Sequence, residues 1–295
     1  MTVDPDVPAL LDAFDDGYPF DLVGARAALD DLSRAIAAPG PAADAHDTVV
    51  AGVRVRRYDA PDDGPTGGPD LPLVWLHGGG FVTGGLDAMD PLCRQLLARA
   101  GAPVTSVDYR LAPEHPFPAA LEDCTAVLRA LAGAGPVVVG GDSAGGALAA
   151  AACQALREEG LPVLAQLLVT PLTDCTLSSA SCRDLGVGFG LTRQALAVMV
   201  GHYLQDADPR DPRCSPLFAP NLSGLPPTVV VTAELDPLRD DGETYAASLA
   251  RAGVPVAARR FDAMVHGFTG MPALTPVADE ALDWAFRALA DLVGA

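Results

Sequence analysis

Short apolar runs punctuate this chain from about residue 49 onward, and longer stretches with helical spacing separate them. Residues 49–58 alternate apolar and polar positions, as a half-buried strand does. The runs 73–76, 104–107, 136–139, 164–169 and 228–232 are short and mainly apolar, a pattern suited to buried strands, and 256–261 reads as a further strand. Between them the spacing predicts helices over 87–100, 117–132, 143–159, 239–252 and 276–293. Strands alternating with helices of this length form βαβ units. The expected class is therefore α/β, with a mostly parallel sheet flanked by helices.

Two segments break that rhythm. Near the N-terminus, Leu22, Ala25, Leu29, Leu32 and Ile36 recur at three- and four-residue spacings, an amphipathic helix that needs a surface to lie on. The second, 175–220, places a helix near 192–204 between Gly- and Pro-rich turns. Two helical excursions beside one sheet predict a helical cap of residues 1–45 and 175–220. The catalytic domain is then 46–174 and 221–295. The Asp/Gly/Pro cluster at 61–72 reads as a turn between strands.

Composition narrows the partners. With 38 acidic and 19 basic residues the formal net charge is −19, and every basic residue is Arg. Such a surface lacks the positive footprint that nucleic acid or an anionic membrane requires. A GC-rich coding bias explains the missing Lys more simply than salt adaptation, against which the 49% hydrophobic content counts. The six cysteines show no metal-knuckle or redox spacing and are expected as buried or semi-buried free thiols of a reducing compartment. The opening MTVDPDVPALLDAF has no leader pattern, and no run reaches the roughly 18 apolar residues of a membrane span. The expected location is cytoplasmic.

The chemistry centres on Gly141-Asp142-Ser143-Ala144-Gly145, which follows the apolar strand and opens an Ala-rich helix. A serine on a sharp strand-to-helix turn takes a strained backbone that flanking glycines tolerate, and it points its hydroxyl above the sheet. That hydroxyl needs a base. On such a turn the partners follow in the order serine, acid, histidine, which leaves His202 and His266 of the five histidines. His202 sits in an apolar helical stretch and reads as packing; His266 follows the last strand and is the expected base. Asp236, directly after the strand at 228–232, is the expected orienting acid, with Asp174 as runner-up one strand earlier. His77-Gly78-Gly79-Gly80-Phe81 follows the strand at 73–76, and its glycines allow backbone N–H groups to converge on an oxyanion with that of Ala144.

These motifs, with Tyr109-Arg110-Leu111-Ala112-Pro113-Glu114 running into His115-Pro116-Phe117-Pro118-Ala119 and Asp236-Pro237-Leu238-Arg239-Asp240, resemble the hormone-sensitive-lipase-like family of α/β-hydrolases. The match spans 77–268. It implies the α/β-hydrolase fold under a helical cap and a catalytic triad of Ser143, Asp236 and His266. It implies oxyanion donors from Gly79, Gly80 and Ala144, with Gly78 shaping the turn, and a structural role for the Tyr109–Glu114 stretch. The implied activity is cofactor- and metal-free hydrolysis of short- to medium-chain carboxylic esters, small molecules, through an acyl-enzyme. A lipase, an amidase or a specialised-metabolite deacetylase would share the site. A ligand-binding receptor on this fold lacks the histidine that His266 supplies. Phe189, Leu191, Met199 and Leu204 are candidate acyl-pocket side chains or the cap's own packing. Strand 256–261 is a possible homodimer edge, although Arg259 and Arg260 equally suit a protected one.

Overall fold

The computed structural model describes residues 22, 24, 26, 40, 42–59 and 69–294. Its chain order is β1 (Asp44–Val50), β2 (Val53–Asp59), β3 (Leu73–Leu76), α1 (Leu86–Ala100), β4 (Val104–Val107), α2 (Ala119–Ala132) and β5 (Val137–Asp142). There follow α3 (Ala144–Glu159), β6 (Val163–Val169), α4 (Ala180–Asp184), α5 (Arg193–Leu204), β7 (Thr228–Leu235), α6 (Arg239–Arg251), β8 (Val256–Val265) and α7 (Val277–Val293). One sheet of eight strands runs β1-β2-β4-β3-β5-β6-β7-β8. β1 and β2 are antiparallel to their neighbours, and the rest are parallel.

The apolar runs are explained by burial on both faces. Along β3, Val74 and Leu76 enter the core shared with α2, α3, α5 and α6, while Leu73 and Trp75 point into the core shared with α1 and α7. β7 divides the same way, with Val230 on the first face and Val229 and Val231 on the second. Each Leu or Val so enclosed contributes roughly 1.5–3 kcal/mol relative to exposure.

The alternation at 49–58 is not one strand. It is the end of β1, a two-residue turn at Ala51-Gly52 and β2. Both turn residues take positive φ, 51° and 84°, the backbone that matches the twist of a tight hairpin. Residue 46, the boundary expected from the sequence, falls inside β1. The last strand also runs further than expected, to Val265, across an irregularity where Ala263 has φ 59° and donates its N–H to Glu234 Oε2 at 2.7 Å. That bulge turns the strand end toward its neighbours before His266.

Leu22, Gly24 and Arg26 are helical, and Leu22 packs on the first core; the remainder of the predicted N-terminal helix lies outside the described residues. So does most of the 61–72 cluster. In the 175–220 segment, Met199, Tyr203 and Leu204 of α5 are buried in the first core, and Phe189 and Leu191 are partly buried against the two cores. All six cysteines are free and buried. Among the described residues no helix is long and apolar enough to cross a membrane. β8 is a sheet edge, with Arg259 paired to Glu280 and Arg260 to Glu243.

Candidate active site

Residues that follow the carboxyl ends of β3, β5, β7 and β8 contact one another, at the usual place for a site in a parallel sheet. Ser143 follows β5 with φ 54° and ψ −118°, a positive φ that costs a residue with a Cβ on the order of 1–3 kcal/mol. The turn stays tight because α3 starts directly beneath β3. A Cβ on Gly145 would lie 1.9 Å from the Leu76 carbonyl oxygen, so no side chain fits there.

The bulge of β8 and the end of β7 bring two further side chains to this turn. His266 Nε2 lies 3.0 Å from Ser143 Oγ, and His266 Nδ1 lies 2.9 Å from Asp236 Oδ2. The fully buried Asp236 accepts the Leu238 N–H on its other oxygen at 2.7 Å, which fixes the carboxylate plane. Nδ1 thereby carries the proton and Nε2 faces the serine as an acceptor. Burial pulls the His266 pKa down. The Asp236 charge and hydrogen bond, joined by the charge of Asp142, outweigh it and leave the pKa raised. A histidine so placed takes a proton from a neighbouring hydroxyl more readily than a free imidazole.

The other candidates separate. Asp174 is buried but accepts from the Thr176 N–H and the Ser178 hydroxyl, 2.8 and 2.9 Å away, and donates its own N–H to Asp241. His202 stands on α5 within the 175–220 segment, and neither residue joins the Ser143–His266 chain.

The glycine loop lies beside Ser143. Gly79 O accepts from Val82 N, Thr83 N and Thr83 Oγ1, which curls the loop into a turn. Gly78 donates its N–H to Asp142 Oδ1 at 3.0 Å, so this amide is committed within the protein. Among the described residues the N–H groups of Gly79 and Gly80 donate to no protein acceptor. Ala144, first residue of α3, has no intrahelical acceptor for its own. Three donors, on the glycine loop and directly after the serine, are thus left without a protein acceptor among the described residues.

Asp142 was not singled out beforehand. Burial, opposed by the Gly78 N–H, pushes its carboxyl up to about 6. The one available signal is its place in the pentapeptide, directly before the serine. His77, buried and kept neutral by desolvation, donates from Nδ1 to Gly78 O at 2.7 Å. Its ring stacks on Tyr109 at 4.1 Å, and the Tyr109 hydroxyl donates to His77 O at 2.6 Å. Arg110 grips Asp123 through Nε and Nη2, both at 2.8 Å. Above the loop, Met199 covers Gly80 so closely that a Cβ there would lie 2.3 Å from its sulfur, and Tyr203 stacks on Phe81 at 3.8 Å.

Comparison with known proteins agrees with this architecture. Residues 73–270 match the model of a family described as having the α/β-hydrolase fold. The carboxylic ester hydrolase LipN of Mycobacterium tuberculosis is 41% identical over 273 residues, covering 85% of this chain and 71% of its own. An ethyl acetate hydrolase of Pseudomonas putida is 38% identical, covering 80% and 77%. The crystal structure of an esterase from the bacterial hormone-sensitive lipase family superposes with a TM-score of 0.90 at 27% identity, covering all of both chains. Motif, topology and full-length superposition converge, and the chain belongs to the α/β-hydrolase-fold family, in its hormone-sensitive-lipase-like branch.

Proposed function

We propose that this protein is a carboxylic ester hydrolase in which Ser143 is the nucleophile, His266 the base and then the acid, and Asp236 the residue that holds the imidazole. The observation that carries the reading is the Asp236–His266–Ser143 chain at 2.9 and 3.0 Å, with three uncommitted N–H groups on the neighbouring glycine loop and at the start of the following helix. Ser143 Oγ adds to the ester carbonyl as its proton passes to His266 Nε2. The carbonyl oxygen becomes an oxyanion that Gly79, Gly80 and Ala144 stabilise, each donor being worth about 10²- to 10³-fold in rate. His266 returns the proton to the leaving alcohol, the C–O bond breaks and an acyl-serine remains. Water then adds by the same route, and the acid departs with Ser143 restored. Asp236 keeps its charge throughout and stabilises the imidazolium.

Short- to medium-chain esters are the proposed substrates. The relative named for ethyl acetate supports the short end, and Met199 beside Gly80 supports an apolar wall near the acyl group. Segment 175–220 is read as a cap, because α5 lies over the glycine loop. A reducing, cytoplasmic setting suits the six free buried thiols.

Ser143→Ala is expected to abolish hydrolysis of p-nitrophenyl butyrate while circular dichroism and melting remain those of the parent. Turnover retained by that variant overturns the assignment. A p-nitrophenyl series from acetate to decanoate then tests the chain-length expectation, which fails if the longest ester is preferred.

A further inference from the structure

Arg26 stands outside the sheet and outside every sequence motif, yet it is hydrogen-bonded to both loops that frame the oxyanion donors. Its Nε donates to Val82 O at 2.8 Å and its Nη2 to Ala112 O at 2.9 Å. Nη1 and Nη2 also hold Glu114 Oε1 and Oε2, each at 2.8 Å. The two loops touch directly as well, since Ala112 N donates to Phe81 O at 3.0 Å. The planar fork of one guanidinium is suited to such a set of acceptors, where a lysine would reach one.

Between these anchors sits Phe81, the residue after Gly80, with φ 67°. A bulky side chain in the left-handed region persists only where its surroundings hold it. Tyr203 holds the ring from one side. The backbone of 81–82 is held by Ala112 N and by Arg26. If that backbone relaxes toward negative φ, the chain on the two sides of Phe81 turns relative to one another, and the Gly79-Gly80 donors lose the support that fixes them. The exposed Arg26–Glu114 ion pair contributes little by itself in water. What matters is that it holds the fork in place for two carbonyls.

We propose that Arg26 is a positioning residue for the oxyanion donors, through which the N-terminal segment helps set the rate of the chemical step. This rests on the hydrolase reading above. Glu114, held at about 2 by the guanidinium, stays ionised at any working pH, so the clamp does not titrate with activity. Because the donors act mainly on the tetrahedral state, loosening them lowers kcat more than it raises KM.

The test compares Arg26→Ala, Arg26→Lys, Glu114→Gln and, as a control for losing a surface Arg–Glu pair, Arg129→Ala, whose partner is Glu159. Hydrogen exchange of the Val82, Thr83 and Ala112 amides reads the clamp without reference to activity. In Arg26→Ala these amides should exchange at least tenfold faster, while Arg129→Ala leaves them unchanged. With p-nitrophenyl butyrate, Arg26→Ala should lose about 10- to 100-fold in kcat with KM within about threefold, less than removal of a whole oxyanion donor. Affinity for a trifluoromethyl ketone, which forms the tetrahedral oxyanion on Ser143, should fall in parallel. Arg26→Lys should recover only part of the loss and Glu114→Gln should lie between. Unchanged exchange in Arg26→Ala overturns the clamp whatever the activity. Faster exchange with kcat and ketone affinity preserved overturns the positioning role. A parent protein inert toward the ester, with the exchange change present, overturns the hydrolase reading and the rate claim together but not the contact.

Discussion

Asp142 directly precedes the nucleophile and His266 is hydrogen-bonded to it, and the two charges favour one another. Asparagine at 142 keeps a carbonyl oxygen for the Gly78 N–H and removes the charge that helps raise the His266 pKa. His266 acts as base only when neutral, so activity rises with pH through its pKa. Loss of a negative neighbour lowers that pKa, and Asp142→Asn should move the acid limb of kcat/KM to lower pH in assays from about pH 5 to about pH 9. A limb that stays put or moves up rules the coupling out. Stability should change in the opposite sense to ordinary salt-bridged carboxylates. A carboxyl raised to about 6 binds its proton more tightly folded than unfolded, so stability falls as pH climbs from about 4 to about 6. The variant should therefore be more stable than the parent by about 1–3 kcal/mol near pH 7.5, a gain that vanishes below about pH 4. Melting temperatures at the two pH values decide it. At this scale the serine, histidine and acid were legible because chain order and flanking glycines mark them. Asp142 and Arg26 were not, since their partners lie 64 and 56–88 residues away and no local spacing encodes such contacts.

Elements were most legible where burial fixes their pattern. The parallel strands read clearly from their mainly apolar runs because cores lie on both faces, as Leu73 and Val74 illustrate, and the few polar side chains among them are small or paired, as Gln166 is with Thr228. The hairpin at Ala51-Gly52 was missed because the turn carries Ala where Asn or Asp usually signals two positive φ angles. β8 runs past the expected 256–261 because an irregularity at Ala263, with φ 59°, lets the pairing resume to Val265 where the apolar pattern is interrupted by Asp262. The junction of β3 with α3 has no such tolerance. Gly145→Ala sets a methyl group against the backbone carbonyls of Leu76 and His77, neither of which can rotate aside. It should cost more than about 4 kcal/mol or leave no soluble folded protein, as measured by urea unfolding or recovery. Near-parental stability in that variant means the strand–helix approach is looser than described.

For the whole molecule, charge outweighs any single pair. Surface Arg–carboxylate pairs such as Arg129–Glu159 lose strength in salt, but 38 acids face only 19 arginines, so the excess repels itself. Screening acts on both, and the larger unpaired population decides the sign. Raising NaCl from about 0.02 M to about 0.5 M, where the Debye length shrinks to a few ångströms, should raise the melting temperature by several degrees. A fall would mean the ion pairs dominate. The six buried thiols have a different consequence in such a surface. With no lysine in the chain and no cysteine at the surface, reagents aimed at amines or thiols find almost nothing to modify beyond the terminal amine. Conventional amine cross-linking will immobilise this protein poorly. One cysteine placed on an exposed helix face would instead give a single, addressable attachment point, away from Ser143 and His266.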